Sequence, residues 1–139
     1  MGLFDGLRRQ RDVTLTPRSA MLLACISMVA ADGDIDDDEI AIIRRIDGNA
    51  DSPDWGTAID TWKRVPGPNE CVDLTAPQLD DEQRRFTMAN LIDIAMADGV
   101  LAGAEKELLE RYVDAFQLDD EFVRHVVDVI SIKNDQAPF

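Results

Sequence analysis

Apolar residues recur at helical spacing along most of the chain, and no stretch alternates apolar and polar residues as a strand would. Thr16-Pro17 supplies an N-cap and a proline at the first helical position, and the apolar periodicity then continues up to Gly33. Asp36 and Glu39 have the spacing of a capping box that opens a second helix, and Ser52-Pro53 opens a third. This third helix places three large apolar side chains on one face: Trp55, Ile59 and Trp62.

The second half of the chain predicts three more helices, at about 79–98, 103–116 and 119–132. Asp119 caps the last of them, which carries Phe122, Val126 and Val129 at helical spacing. Three prolines in residues 65–77 indicate a linker between the halves, and "GLFDGLRRQR" predicts a short N-terminal helix. The pattern predicts an all-α fold of about seven helices in a single domain, residues 1–139.

The two halves resemble each other at an offset of 66 residues. Identical residues occupy six equivalent positions: Ile26/Ile92, Ala31/Ala97, Asp32/Asp98, Gly33/Gly99, Glu39/Glu105 and Arg45/Arg111. Four of these pairs fall within a nine-residue motif, so an internal duplication is the simplest interpretation. We therefore expect two three-helix repeats, about residues 16–64 and 78–133, related by a pseudo-two-fold axis.

Composition and charge narrow the range of partners. The chain of 139 residues has a net charge of −14 and a pI near 4.2, which argues against nucleic acid, because phosphate contacts need clusters of Lys and Arg. The charge is uneven, since residues 1–18 carry four arginines against two aspartates and residues 19–139 carry −16. The apolar run at 20–31 is too short to span a membrane and predicts a buried core helix.

The two cysteines form neither a CxxC motif nor a disulfide framework. Cys25 lies in the apolar run and Cys71 in the predicted linker loop, which fits a cytoplasmic protein better than a secreted one.

The repeated motif is an Asp-Gly pair at a helix end, followed six residues after the glycine by a glutamate. It matches the second half of an EF-hand loop, but the first two ligand positions would fall on Met28 and Ala30, so it is no EF-hand. If the two corners face each other, four carboxylates converge: Asp32, Glu39, Asp98 and Glu105. Oxygen ligands favour calcium, magnesium or manganese, and zinc less. From the motif alone, the glycines and glutamates are better explained as helix stops and caps than as parts of a metal site.

The whole chain resembles the TerB family, small bacterial proteins associated with tellurite resistance and related stress responses. The resemblance is carried by "MGLFDGLRR", "AADGDIDDDE" and "MADGVLAGAEKEL". It implies an all-helical fold and a metal site built from paired acidic residues, here Asp32, Glu39, Asp98 and Glu105. We expect a cytoplasmic protein, with a position peripheral to the inner membrane as the alternative, and an indirect role in tellurite resistance or stress response.

The sequence favours action through protein partners, and one candidate partner is a membrane protein. The single histidine, His125, has no catalytic arrangement around it, so an enzyme is not expected. Direct tellurite binding is not expected either, because a strongly acidic chain repels an anion. The alternative is a metal-free interaction module or membrane-peripheral scaffold, in which Leu3, Phe4 and Leu7 and the arginines after them dock on a surface. The sequence favours the simpler arrangement, in which these apolar residues pack on the domain itself and the arginines pair with its acidic surface.

Overall fold

A computed structural model describes residues 14–32, 35, 37–48, 52–97 and 103–138. Within these ranges the chain forms seven α-helices and no strand, which confirms the all-α prediction. The helices are α1 (Pro17–Val29), α2 (Asp37–Asp47), α3 (Pro53–Arg64), α4 (Pro68–Thr75), α5 (Asp81–Ala95), α6 (Ala104–Phe116) and α7 (Asp120–Asn134). Short 3-10 helices follow α1 at Ala30–Asp32 and α4 at Ala76–Gln78. The helix predicted near the N-terminus lies outside the described residues.

Helix α1 is the centre of the molecule. Every residue from position 19 to 29 is buried, and α1 contacts each of the helices α2 to α6. A helix that is apolar on all sides is stable in water only when other helices surround it. Thr16 begins it as predicted, because its hydroxyl accepts a hydrogen bond from the Ser19 backbone while the Ser19 hydroxyl accepts one from the Thr16 backbone.

Helices α3, α5 and α7 begin at side-chain caps. The caps are Ser52, Asp80 and Asp119, each of which accepts a hydrogen bond from the backbone three residues later. The predicted apolar face of α3 packs against the core. On α7, Phe122 and Val126 also pack against the core, whereas Val129, at the same helical spacing, is 50% exposed.

Helix α4 lies within residues 65–77, which the prolines had indicated as a linker. Pro68 stands at the start of the helix, where the missing N–H would have no helical partner in any case, so it begins the helix instead of breaking it. The helix buries Cys71, Val72 and Thr75 against the core. The prediction of a loop around Cys71 was therefore wrong.

Three pairs of core positions related by the 66-residue offset share their burial. Leu22/Met88, Cys25/Leu91 and Ile26/Ile92 are all fully buried. This agreement is compatible with two repeats, whose pseudo-two-fold relation remains a prediction. Among the described residues, no helix is both long enough and apolar enough to cross a bilayer.

Candidate metal centre at the paired Asp-Gly corners

The first corner follows α1. The chain leaves α1 through the 3-10 helix Ala30–Asp32 and enters α2 at Asp37, and Glu39 lies half-buried in the first turn of α2. The backbone of Asp32 belongs to the described residues, but its side chain does not. The Asp32 backbone therefore lies just before the turn between α1 and α2, and the Glu39 side chain lies just after it.

The second corner joins α5 to α6. Helix α5 ends at Ala95, and α6 begins at Ala104 after Gly103, whose φ of 63° is in the left-handed region that favours glycine. Glu105 lies half-buried in the first turn of α6. Asp98 lies outside the described residues. Each half thus presents its predicted glutamate in the first turn of the helix that follows the corner.

Helix α6 runs antiparallel to α5, and α7 runs antiparallel to α6. The guanidinium of Arg84, near the start of α5, donates to the carbonyl of Phe116 at the end of α6 (3.2 Å) and to that of Ala76 (2.8 Å). At the other end, the Asn134 side chain that closes α7 donates to the Met96 carbonyl just past α5 (3.2 Å). The end of α5 and the start of α6 therefore lie together, far from Arg84.

Helix α1 ends on the same side of the molecule. Its first turns share a cleft with the first turns of α5, where Arg18 and Met21 lie opposite Gln83 and Phe86. The 3-10 helix Ala30–Asp32 contacts α6. Helix α2 runs back beside α1, because Asp47 at its end pairs with Arg18 at the start of α1 (2.6 Å). The ends of α1 and α5 and the starts of α2 and α6 consequently lie at one end of the bundle.

The described part of the site is incomplete as a metal centre by itself. Among the described residues, no three His, Cys, Asp or Glu side chains lie close enough together to hold a metal ion. Two of the four predicted ligands, Glu39 and Glu105, are described, and each occupies a helix N-terminal turn where the macrodipole favours a carboxylate. The geometry brings together the helix ends that carry the glutamates, and the donor set of oxygens fits a hard cation.

A buried hydrogen bond beside the corners escaped the sequence analysis. The hydroxyls of Ser27 and Tyr112 lie 2.6 Å apart, and the Ser27 hydroxyl also donates to the Ala24 carbonyl (2.6 Å). Because Ser27 has only one proton to donate, Tyr112 must donate to Ser27. Burial raises the pKa of the Tyr112 phenol above its usual range, so it stays neutral. The bond ties α1 of the first half to α6 of the second, and Ser27, a polar residue within an apolar run, was its only signal in the sequence.

Neither cysteine is activated for thiol chemistry. Cys25 and Cys71 are both free and buried. Burial raises the pKa of each thiol to about 12, and for Cys71 the neighbouring Glu70 carboxylate adds to the effect. Since the thiolate is the nucleophile, both side chains are inert in the folded protein.

We expect neither thiol to react with an aromatic disulfide reagent at pH 8 in the folded protein, whereas both should react in denaturant. A rise of the pKa from 9.0 to about 12 lowers the thiolate fraction roughly a thousandfold, and burial further blocks access. The measurement is the absorbance of the released thiolate over time, with and without guanidinium. Rapid labelling of one thiol in the native protein would contradict this account of the core.

The comparison with known proteins concerns mainly the helices of the second half of the chain. A family model described as "Tellurite resistance protein TerB" matches residues 61–133, just over half of the chain. The match extends from the end of α3 through α7 and includes Asp98 and Glu105 of the second corner. Searches of curated proteins and of solved structures find no match. The sequence motifs, the all-helical fold and the family match agree, and the chain belongs to the TerB family.

Proposed function

We propose that this TerB-family chain binds a divalent cation at the end of the bundle where its two Asp-Gly corners lie, and acts through protein partners. The ligands proposed are Asp32, Glu39, Asp98 and Glu105. The observation that carries the proposal is the arrangement of the helices, which brings the ends of α1 and α5 together with the starts of α2 and α6. Without that arrangement, the repeated motif would be two unrelated helix stops.

The charges at this end support a cation. Asp32 and Asp98 follow the C-terminal ends of α1 and α5, where the helix macrodipole disfavours an anion by about 0.3–1 kcal/mol each. A bound cation would offset both charges at once. Asp37 and Asp38 add two exposed carboxylates at the start of α2, which raise the local cation concentration. Calcium, magnesium or manganese fits this oxygen-rich set better than zinc does.

The connection with tellurite resistance or stress response is proposed to be indirect. A chain with a net charge of −14 repels an oxyanion, and both thiols that could reduce one are buried with raised pKa values. We infer that the domain responds to a cation and passes that state to a protein partner, with a membrane protein at the cytoplasmic face as one candidate. The metal would then be structural or regulatory.

Addition of one preferred divalent ion to the chelated protein is expected to raise the midpoint of thermal unfolding. Only the folded chain assembles all four carboxylates, so an ion at a hundred times its Kd stabilises by about 2.7 kcal/mol, or roughly 10 °C for a domain of this size. The measurement is thermal unfolding after chelation, repeated with calcium, magnesium, manganese and zinc added separately. The variant Asp32→Asn/Asp98→Asn should lose the response.

A second double variant, Asp37→Asn/Asp38→Asn, is the matched control. It removes the same charge from the same end of the bundle but leaves the proposed ligands intact, so the ion-dependent rise should persist. Equal responses from both variants would mean that the ions merely screen acidic charge. A midpoint that no ion changes would overturn the proposal.

A metal-free interaction module is the second candidate. The observation that favours it lies on α7, where Val129 and Ile132 are 50% and 74% exposed and three residues apart on one face. Large apolar side chains exposed together are typical of contact surfaces. A binding partner that is retained equally with and without a chelator would favour this function over the cation-dependent one.

A further inference from the structure

A groove of about 400 Å³ lies beside the point where the described chain begins. Its wall combines Leu15, just before α1, with the end of α3, the turn that follows it, and α4. The apolar part of the wall is formed by Leu15, Val65, Pro66 and Leu74. Leu74 is 41% exposed, which makes it one of the few large apolar side chains of the described residues that open to solvent. Exposure of this apolar wall to water is unfavourable, so apolar groups that cover it would stabilise the protein.

The nearest group of large apolar side chains before Leu15 in the sequence belongs to residues 3–7, since Val13 is the single apolar residue among residues 8–14. Leu3, Phe4 and Leu7 have the spacing of one apolar face, and Leu15 lies eight positions after Leu7. An extended stretch of that length reaches about 26–29 Å, which is more than enough to return over the groove. We propose that residues 3–7 of the same chain occupy this groove and cover its apolar wall.

Charge complementarity supports this occupant over a partner from elsewhere. Arg8, Arg9 and Arg11 follow directly, whereas residues 19–139 carry a net charge of −16. Glu70 and Asp73 line both this groove and a shallow neighbouring depression. The depression adds Asp114. The combined surface therefore carries three carboxylates and two arginines, Arg64 and Arg111. Docking of residues 3–7 would bring the three arginines that follow them close to these carboxylates. This proposal does not depend on metal binding at the Asp-Gly corners.

Limited trypsin digestion of the full chain tests the proposal, because Arg8, Arg9 and Arg11 are cleaved only when the segment leaves the groove. Leu74→Asp should raise the cleavage rate at these sites at least about tenfold, since proteolysis follows the population of the open form. Phe4→Asp should raise it similarly from the other side of the contact. Mass spectrometry identifies the cut sites, and circular dichroism checks that each variant is folded.

Ile132→Asp is the matched control, because it introduces the same charge at an exposed apolar position of α7 outside the groove, and it should leave the cleavage rate unchanged. Equal rates in the parent and in all three variants would overturn the proposal. So would protection that grows with protein concentration, which indicates the segment of a second copy. Protection only after anionic vesicles are added would likewise overturn it and assign the segment to a membrane surface.

Discussion

Replacement of Ile26 by alanine is expected to lower the free energy of unfolding by about 2–5 kcal/mol, the usual cost of truncating a fully buried aliphatic side chain. Ile26 is completely inaccessible to solvent and lies in α1, which helices α2 to α6 surround. A helix held on so many sides cannot move inward to fill the space, so the cavity term should be near its upper range. Urea unfolding followed by circular dichroism gives the measurement.

The equivalent position and an exposed one provide the comparison. Ile92 stands 66 residues later, is also fully buried and lies in α5, so Ile92→Ala should cost a similar amount if the two halves are structurally equivalent. Ile132→Ala, at a position 74% exposed on α7, should change stability by less than about 0.5 kcal/mol. A loss at Ile26 no larger than that at Ile132 would contradict the central position of α1.

Helix starts could be predicted because their signals are local. Thr16, Ser52 and Asp119 each act within three residues of themselves, and the structure confirms all three caps. Burial of α1 was also predictable, since a run of apolar residues on every side of a helix has no stable position at a surface. These inferences needed no knowledge of what lies next to each element.

Helix α4 could not be predicted from prolines alone. The same residue begins a helix at its first position and breaks one in the interior, and only the partners of Cys71, Val72 and Thr75 decide between these roles. Val129 illustrates the same dependence, because helical spacing identifies a face but not whether another helix covers it. Both cases concern tertiary packing, which local patterns do not contain.

The candidate site was predictable in its residues more than in its geometry. Repetition singled out Asp32, Glu39, Asp98 and Glu105, and the helix directions place the described flanks of both corners at one end of the bundle. The bond between Ser27 and Tyr112 depends on two helices 85 residues apart in sequence, so no local signal could have paired them. Convergence of the four carboxylates remains a prediction that the ion titration tests.

The ion pair of Arg18 and Asp47 is expected to show a coupling free energy of about 1–3 kcal/mol in a double-mutant cycle. The Asp47 side chain is fully buried and accepts hydrogen bonds from Arg18 (2.6 Å) and Ser52 (3.1 Å), so it joins the end of α2 to the starts of α1 and α3. Removal of the carboxylate leaves Ser52 without this acceptor and frees the Arg18 guanidinium to move into solvent. The variants Arg18→Ala, Asp47→Ala and the double variant complete the cycle, measured by urea unfolding.

Asp93 and Lys133 form the matched surface pair. Their charged atoms lie 3.3 Å apart, and the side chains are 43% and 61% exposed, so water and salt screen the attraction and its coupling should stay within about 0–1 kcal/mol. The contrast separates burial from charge, because both pairs join an arginine or lysine to an aspartate across two helices. Salt should weaken the surface pair more than the pair of Arg18 and Asp47, in which the aspartate is buried. Equal couplings in the two cycles would mean that the burial of Asp47 does not strengthen its pair with Arg18.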